Sequence, residues 1–287
     1  MGARRGHERA AVSAARASVI GGFAGTSDLE AGKRYGIPVI GTAAHAFTLL
    51  HDSERQAFDA QIASLGPNTT LLVDTYNVSE GVKTAVEAAR AAGGELGAVR
   101  LDSGDLVAQA FTVRGQLDAL GATSTKITVT SDLDEYAIAA LGAAPVDSYG
   151  VGTRLITGSG VPTAALVYKL VSREDSDGNM VGVAKKSASK NTVAGKKYAG
   201  RLYDEDGYAS EEILFTGSAE EAAAFFEENG ARLLQVPLIV DGEIQSEAWS
   251  SQALSEAQAH HLRSRNELPY QAWRLSEGEP AIPTRYI

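Results

Sequence analysis

From about residue 37 the chain repeats one unit: a short apolar run, a few polar residues, then apolar positions at helical spacing. Ile37–Ile40 ends in Gly41-Thr42 and precedes a helical stretch near 45–64. Leu71–Val73 ends in Asp74-Thr75-Tyr76-Asn77, after which Val78, Val82, Ala85, Val86 and Ala89 share one helix face. Ala98–Leu101 ends in Asp102-Ser103-Gly104-Asp105 and gives way to a helical pattern reaching about Leu120. Ile127–Thr130 ends in Ser131-Asp132 before a helix through Leu141, and Tyr149–Val151 ends in Gly152-Thr153. Upstream, Val12, Ala15, Val19 and Ile20 mark a helix over about 8–20 that stops at Gly21-Gly22.

Short apolar strands alternating with amphipathic helices predict a parallel sheet with helical crossovers. A doubly wound sheet gathers its chemistry at one switch point. Here polar residues follow every strand, as on the C-terminal rim of an α/β barrel. The expected fold is therefore α/β: an irregular (β/α) barrel of parallel strands over residues 1–170, with a smaller C-terminal β/α extension over 171–287. Leu166–Val171 reads as a strand, residues 172–207 as loops and hairpins, 218–229 as a helix capped by Ser218, and about 251–264 as another helix.

Composition narrows the chemistry. A net charge of -10 gives the chain nothing with which to release counterions from nucleic acid or an anionic bilayer, so neither is an expected partner. An anionic substrate would need local Arg clusters and helix N-termini. The absence of cysteine excludes disulfides, thiolate metal sites and Cys nucleophiles. Arg4-Arg5 is not followed by the uncharged apolar core of an export signal, and no run of about 18 apolar residues occurs. A cytoplasmic protein is expected.

Taken singly, the polar clusters have bland readings. Asp74, Asp102, Asp105 and Asp132 follow strands, where helix N-capping is the alternative to catalysis. Ser103-Gly104-Asp105 can be a tight turn plus cap. Gly150-Val151-Gly152-Thr153 can be a turn or a phosphate cradle. A histidine at a helix start, such as His45, is more often structural than catalytic.

Their order along the chain says more. Gly2-Ala3-Arg4-Arg5, Gly22-Phe23-Ala24-Gly25-Thr26-Ser27 and Gly41-Thr42-Ala43-Ala44-His45-Ala46-Phe47 come first. Val73-Asp74-Thr75-Tyr76-Asn77, Val99-Arg100-Leu101-Asp102-Ser103-Gly104-Asp105-Leu106, Gly150-Val151-Gly152-Thr153, Val167-Tyr168-Lys169-Leu170-Val171 and Gly195-Lys196-Lys197 follow. This series resembles the nicotinate phosphoribosyltransferases over residues 2–205. The resemblance implies ATP-coupled formation of nicotinate mononucleotide and pyrophosphate from nicotinate and phosphoribosyl pyrophosphate. A nicotinamide-using relative, or a fragment that only binds phosphates or needs an N-terminal partner, are the alternatives.

The resemblance also implies roles. His45 is the histidine phosphorylated by ATP. Arg4 and Arg5 recognise the nicotinate carboxylate or a substrate phosphate, and Arg100 meets the pyrophosphate or ATP phosphates. Asp102 and Asp105 are catalytic and carry Mg2+, the expected cofactor. Thr42, Ser103, Gly104, Ser131, Gly150, Gly152 and Thr153 bind substrate, the last group at the 5′-phosphate. Relatives are homodimers and place the Gly-x-Arg-Arg stretch after an N-terminal domain, so an N-terminal segment is expected to be missing here. Asp28 stands where they commonly carry Asn, in an expected turn or cap.

Overall fold

Five helices of the first unit start on a side chain that accepts one of the N–H groups a helix start leaves unmet. Asp28 caps α2 (Leu29–Tyr35), Ser53 caps α4 (Glu54–Leu65), Asn77 caps α5 (Val78–Ala91), Asp105 caps α6 (Leu106–Ala119) and Asp134 caps α7 (Glu135–Leu141). Helix α1 (Glu8–Ile20) precedes these, and the short α3 (His45–Leu49) sits between α2 and α4. The strands between are β1 (Thr70–Leu72), β2 (Ala98–Leu101), β3 (Lys126–Val129) and β4 (Ser148–Tyr149), followed by α8 (Thr153–Thr157). The computed structural model describes residues 2–161, 163–187, 192–245 and 251–287, and divides into two units, Met1–Thr163 and Ala164–Ile287.

In the first unit β1–β4 form one parallel sheet in the order of the chain, with no reversal of strand order. The register puts Leu71, Val99 and Ile127 in one cross-strand row and Leu101 and Val129 in the next. These residues are fully buried with Val82, Ala85, Val86 and Ala89 of α5 and Val113 and Leu117 of α6. Because strand side chains alternate between faces, the same register gives the other face Thr70, Ala98 and Lys126 in one row and Leu72, Arg100, Thr128 and Ser148 in another. The strands are therefore not continuous apolar runs. One face is core; the other is largely polar.

Of the expected irregular barrel, the described residues show a parallel α/β sheet of four strands that is open rather than closed. At the β1 edge, the buried Gln61 of α4 donates its side-chain amide to the Thr70 carbonyl (2.9 Å) and to Thr69 Oγ1 (3.1 Å), occupying a backbone acceptor a further strand would use. Ile37–Ile40, expected as a strand of the same sheet, instead makes one isolated parallel bridge, Thr26 to Val39. Leu166–Val171 is not a strand either. At its end the Val171 carbonyl accepts the Val183 and Gly195 N–H groups, but Leu166, Val167, Tyr168 and Leu170 are exposed and lie in no described strand.

The second unit has its own sheet, in the order β12-β8-β7-β9. A hairpin, β5 (Ser172–Glu174) with β6 (Met180–Gly182), comes before it. β7 (Lys197–Tyr203) and β8 (Ala209–Thr216) pair antiparallel, β9 (Arg232–Leu233) joins β7, and β12 (Thr284–Tyr286) joins β8 in parallel. β10 (Ile239–Val240) and β11 (Glu243–Ile244) form a separate pair, and α10 spans Ser251–Asn266. Helix α9 (Ala219–Glu228) starts on a Ser218–Glu221 capping box, as the sequence predicts for Ser218, and buries Ala222 and Phe226 against Ile213.

Leu101 is fully buried in the first unit's core. Leu101→Ala is expected to lower the unfolding free energy by about 2–5 kcal/mol, read from the urea midpoint at unchanged slope. A loss under about 1 kcal/mol would mean that the site collapses on the cavity and that this row does not hold the sheet to α5 and α6.

Candidate active site

Arg100 lies on the polar face of β2, two residues before Asp102, so both side chains leave the strand on the same side. Its guanidinium donates through Nε to Thr130 Oγ1 (2.7 Å), through Nη1 to Thr42 Oγ1 (2.5 Å) and the Ala43 carbonyl (3.4 Å), and through Nη2 to Asp102 Oδ1 (2.7 Å). Its side chain is 18% exposed and that of Asp102 is 29% exposed. The fork thus ties the loop before α3 to the ends of β2 and β3. Thr130 Oγ1 donates to Asp102 Oδ1 as well. Burial pushes the Asp102 carboxyl up, but the hydrogen bonds from Thr130 and Arg100, then the charges of Arg100 and His45, outweigh it and hold the carboxyl below its ordinary range.

Asp74, at the end of β1, is almost fully enclosed, its side chain 2% exposed. Its Oδ2 accepts the Asp102 backbone N–H (2.7 Å) and the Ser103 hydroxyl (3.1 Å), so the ends of β1 and β2 are joined through one carboxylate. Its Oδ1 is buried with no hydrogen-bond partner among the described residues and lies 3.9 Å from His45 Nε2. The same Nε2 is 3.7 Å from Asp102 Oδ2. His45 Nδ1 shares a hydrogen bond with Thr75 Oγ1 (3.1 Å), which fixes the ring plane, and 40% of its side chain remains open. An imidazole tethered at Nδ1 leaves its other nitrogen for nucleophilic chemistry.

The turn after β2 depends on Gly104, whose φ of +82° is a backbone conformation that strains any residue with a Cβ. The Gln109 side-chain amide donates to the Ser103 carbonyl (3.0 Å). After β3, Ser131 takes a φ of +114°, a strained conformation for a side-chain-bearing residue. Gly150, after β4, packs against Thr130: a Cβ there would come within 2.5 Å of Thr130 Cγ2. Gly2 packs in the same way on the Gly152 carbonyl, so the 3-10 turn Ala3–Arg5 sits beside the start of α8 with Arg4 and Arg5 exposed. Thr153 opens α8.

The sequence candidates therefore divide into two neighbouring groups on one rim. Thr42, Arg100, Asp102 and Ser103 form one hydrogen-bonded network with Asp74, and His45 Nε2 stands 3.7 Å from Asp102 Oδ2 beside it, while Arg4, Arg5, Gly150, Gly152 and Thr153 gather at the end of β4. Asp105 does not join the network; its Oδ1 caps α6 at the Ala108 N–H (3.0 Å). Asp132 is not the cap of α7, which is Asp134. The sequence does not single out Thr75 or Thr130, and it marks Asp74 only as a strand-end carboxylate without an assigned role; all three join the site. Their common signal is their position, within three residues of a strand's C-terminal end. Glu54 also lies near Asp74; burial, then the Asp74 charge, pushes its carboxyl up.

Asp102 sets a pH dependence. Its folded pKa is lowered, so the stability it contributes is present above the ordinary carboxylate value and is lost as pH falls through the folded value. Asp102→Asn is expected to flatten the stability-versus-pH curve below about pH 4, measured by urea unfolding at stepped pH. An acid limb as steep as the parent's would remove Asp102 as a source of that dependence.

No family model matches the chain. Nicotinate phosphoribosyltransferase pncB1 of Mycobacterium tuberculosis (strain CDC 1551 / Oshkosh) is 51% identical over 295 aligned positions, covering all of this chain and 62% of that protein. Nicotinate phosphoribosyltransferase of Bacillus subtilis (strain 168) is 42% identical over 73% of this chain and 44% of its own. The crystal structure of human nicotinic acid phosphoribosyltransferase has the same fold over 96% of this chain and 65% of its own, with a TM-score of 0.71 at 23% identity. The chain thus spans less than two thirds of the relatives it matches. Along its whole length it belongs to the nicotinate phosphoribosyltransferase family.

Proposed function

We propose that this chain carries the phosphoryl-accepting and phosphoribosyl-transferring rim of a nicotinate phosphoribosyltransferase, and that its four parallel strands are an arc of a barrel wall. The observation that carries the reading is the convergence of the hydrogen-bonded Arg100–Asp102 pair and His45, whose Nε2 is 3.7 Å from Asp102 Oδ2, at the C-terminal end of that sheet. The names of the relatives support nicotinate over nicotinamide as the base. Homodimeric assembly and a cytoplasmic setting belong to the same proposal; among the described residues no helix is long and apolar enough to cross a membrane.

In the transfer step the pyridine nitrogen of nicotinate forms a bond to the ribose anomeric carbon as that carbon's bond to pyrophosphate breaks. The sugar passes through an oxocarbenium-like state. Rate then comes from holding two anions and a cationic sugar in line. Arg4 and Arg5 are assigned to the nicotinate carboxylate or a substrate phosphate, where a guanidinium fork matches two oxygens. Gly150, Gly152 and Thr153 are assigned to the 5′-phosphate, with Ser131 beside them. Arg100 has given four of its five N–H groups to the protein and keeps one Nη2 hydrogen for a phosphate oxygen. Ser103, Gly104 and Asp102 form the edge that orients the ribose hydroxyls.

ATP is the proposed co-substrate, its γ-phosphoryl group passing to His45 Nε2 while Thr75 holds Nδ1. Mg2+ is the proposed cofactor. It binds through one or two carboxylates together with substrate phosphates. Asp102 Oδ2 suits that, since its partner oxygen carries the bonds to Arg100 and Thr130. Among the described residues no group of three or more acidic or histidine side chains is placed to hold a metal by itself. A metal brought by substrate phosphates fits this better than a resident one. Asp105, whose Oδ1 serves the α6 cap, is the weaker of the two assigned ligands.

The chain should form nicotinate mononucleotide in an ATP-dependent assay, run alone and with a separately made copy of the segment of a full-length relative that it does not span. With γ-labelled ATP, the parent should take up label and His45→Ala should take up none. Label that persists in His45→Ala would move the phosphoryl acceptor elsewhere. Arg100→Ala should weaken use of phosphoribosyl pyrophosphate by more than about tenfold, since a charge-assisted hydrogen bond contributes about 1.5–3 kcal/mol; unchanged Michaelis constant and turnover would remove Arg100 from the site.

A further inference from the structure

The turn assigned above to the ribose hydroxyls runs from Asp102 to Asp105, between the end of β2 and the start of α6. Both ends of it are held by neighbours. Asp74 Oδ2 accepts the Asp102 N–H (2.7 Å) and the Ser103 hydroxyl (3.1 Å), and Asp105 Oδ1 accepts the Ala108 N–H (3.0 Å). The middle is the peptide between Ser103 and Gly104, and glycine there leaves the backbone many conformations besides the φ of +82° that it adopts. Among the described residues, the tie on that peptide is Gln109, whose Nε2 donates to the Ser103 carbonyl (3.0 Å).

Position 109 is where such a tie can be mounted. Helical side chains lean toward the helix N-terminus, over the turn before their own Cα. Gln109 follows the Asp105 cap by four residues, and its backbone N–H meets the Asp105 carbonyl (2.9 Å), so its side chain reaches back across the turn. The other end of the amide gains nothing from this: Gln109 Oε1 is buried with no hydrogen-bond partner among the described residues. A buried acceptor without a donor lowers stability. Methionine has nearly the same length, suits a helix as well and carries no such group. Glutamine therefore fits this position for its donor rather than for stability.

We propose that Gln109 is a positioning residue: by holding the Ser103 carbonyl it fixes the Ser103-Gly104 peptide, and with it the edge that Asp102 and Ser103 present to the ribose of phosphoribosyl pyrophosphate. What that edge does rests on the proposed function. How it is held rests on the hydrogen bonds alone.

The test compares the full chain with Gln109→Met and Gln109→Glu. The first keeps the length of the side chain and removes the donor; the second keeps its shape and turns an acceptor toward the carbonyl. NMR backbone relaxation reads the Gly104 amide. Its order parameter should be near about 0.85 in the parent and below about 0.6 in both variants, with Val113 and Leu117 of α6 unchanged. The urea midpoint of Gln109→Met should equal or exceed the parent's at unchanged slope. In the ATP-coupled assay, both variants should raise the Michaelis constant for phosphoribosyl pyrophosphate about fivefold, the scale of one net hydrogen bond. The Michaelis constant for nicotinate should stay within about twofold of the parent's on the same scale. A Gly104 amide as ordered in either variant as in the parent, or already mobile in the parent, overturns the proposal. So does a Gln109→Met that loses stability and α6 order together, which would make Gln109 a packing residue. With an active parent, a mobile Gly104 but an unmoved Michaelis constant for phosphoribosyl pyrophosphate, or an equal rise for nicotinate, overturns it as well. If the parent forms no product while Gly104 follows the expected pattern, the reaction assigned to the site fails and the hold on the turn stands.

Discussion

A guanidinium with less than a fifth of its side chain exposed needs partners, because a buried charge without them is strongly destabilising. Arg100 finds them on three segments: Thr42 and Ala43 before α3, Asp102 after β2, and Thr130 after β3. The first of these matters most. Ile37–Ile40 is not part of the parallel sheet, so strand pairing does not deliver the loop that ends in His45. Polar bonds do so instead, from Arg100 to Thr42 and Ala43 and from Thr75 to His45. The imidazole's position is thus a consequence of satisfying one arginine.

Around that arginine the charges sort themselves. Hydrogen bonds and a neighbouring cation keep Asp102 anionic, whereas burial and a neighbouring anion push Glu54 toward its protonated form. Neighbouring carboxyls whose environments drive them in opposite directions can take different jobs. Here Asp74 and Asp102 both face His45 Nε2. Two anions at that distance would repel an incoming phosphate unless a cation travels with it. That is the physical argument behind the proposed Mg2+ accompanying the substrate phosphates.

Much of this was legible in the sequence wherever a local rule decides. The helices at 8–20, 78–91, 106–119 and 219–228 follow from apolar spacing and capping residues, and the apolar runs at 71–73, 98–101 and 127–130 each mark a strand end. The runs at 37–40 and 166–171 misled because apolar character predicts a strand only if a neighbour supplies the ladder. At the site, Arg100 and Asp102 share a face by simple alternation, and Asp28 is the cap that its place after Thr-Ser suggests. Thr130 could not be read so directly. It meets Asp102 because β2 and β3 align Leu101 with Val129, and register is a property of two strands together. Asp105 shows the converse: its spacing before α6 suits a cap, and the cap is its contact.

The two faces of the sheet argue for the barrel arc over a doubly wound sheet. Parallel sheets normally have both faces covered, and in a doubly wound fold helices cover both, so both faces are apolar. Here the helices follow an unreversed strand order, and the face without them carries Thr70, Arg100, Lys126, Thr128 and Ser148. Such a face is a poor seat for a second helix layer, because each polar group would need a partner there. As the inner wall of a barrel the same residues meet side chains and ligand from opposing strands. The row that starts with Lys126 then runs up through Thr128 to Thr130, where the arginine fork begins, so one run of alternating side chains connects the floor of the wall to the chemistry at its rim.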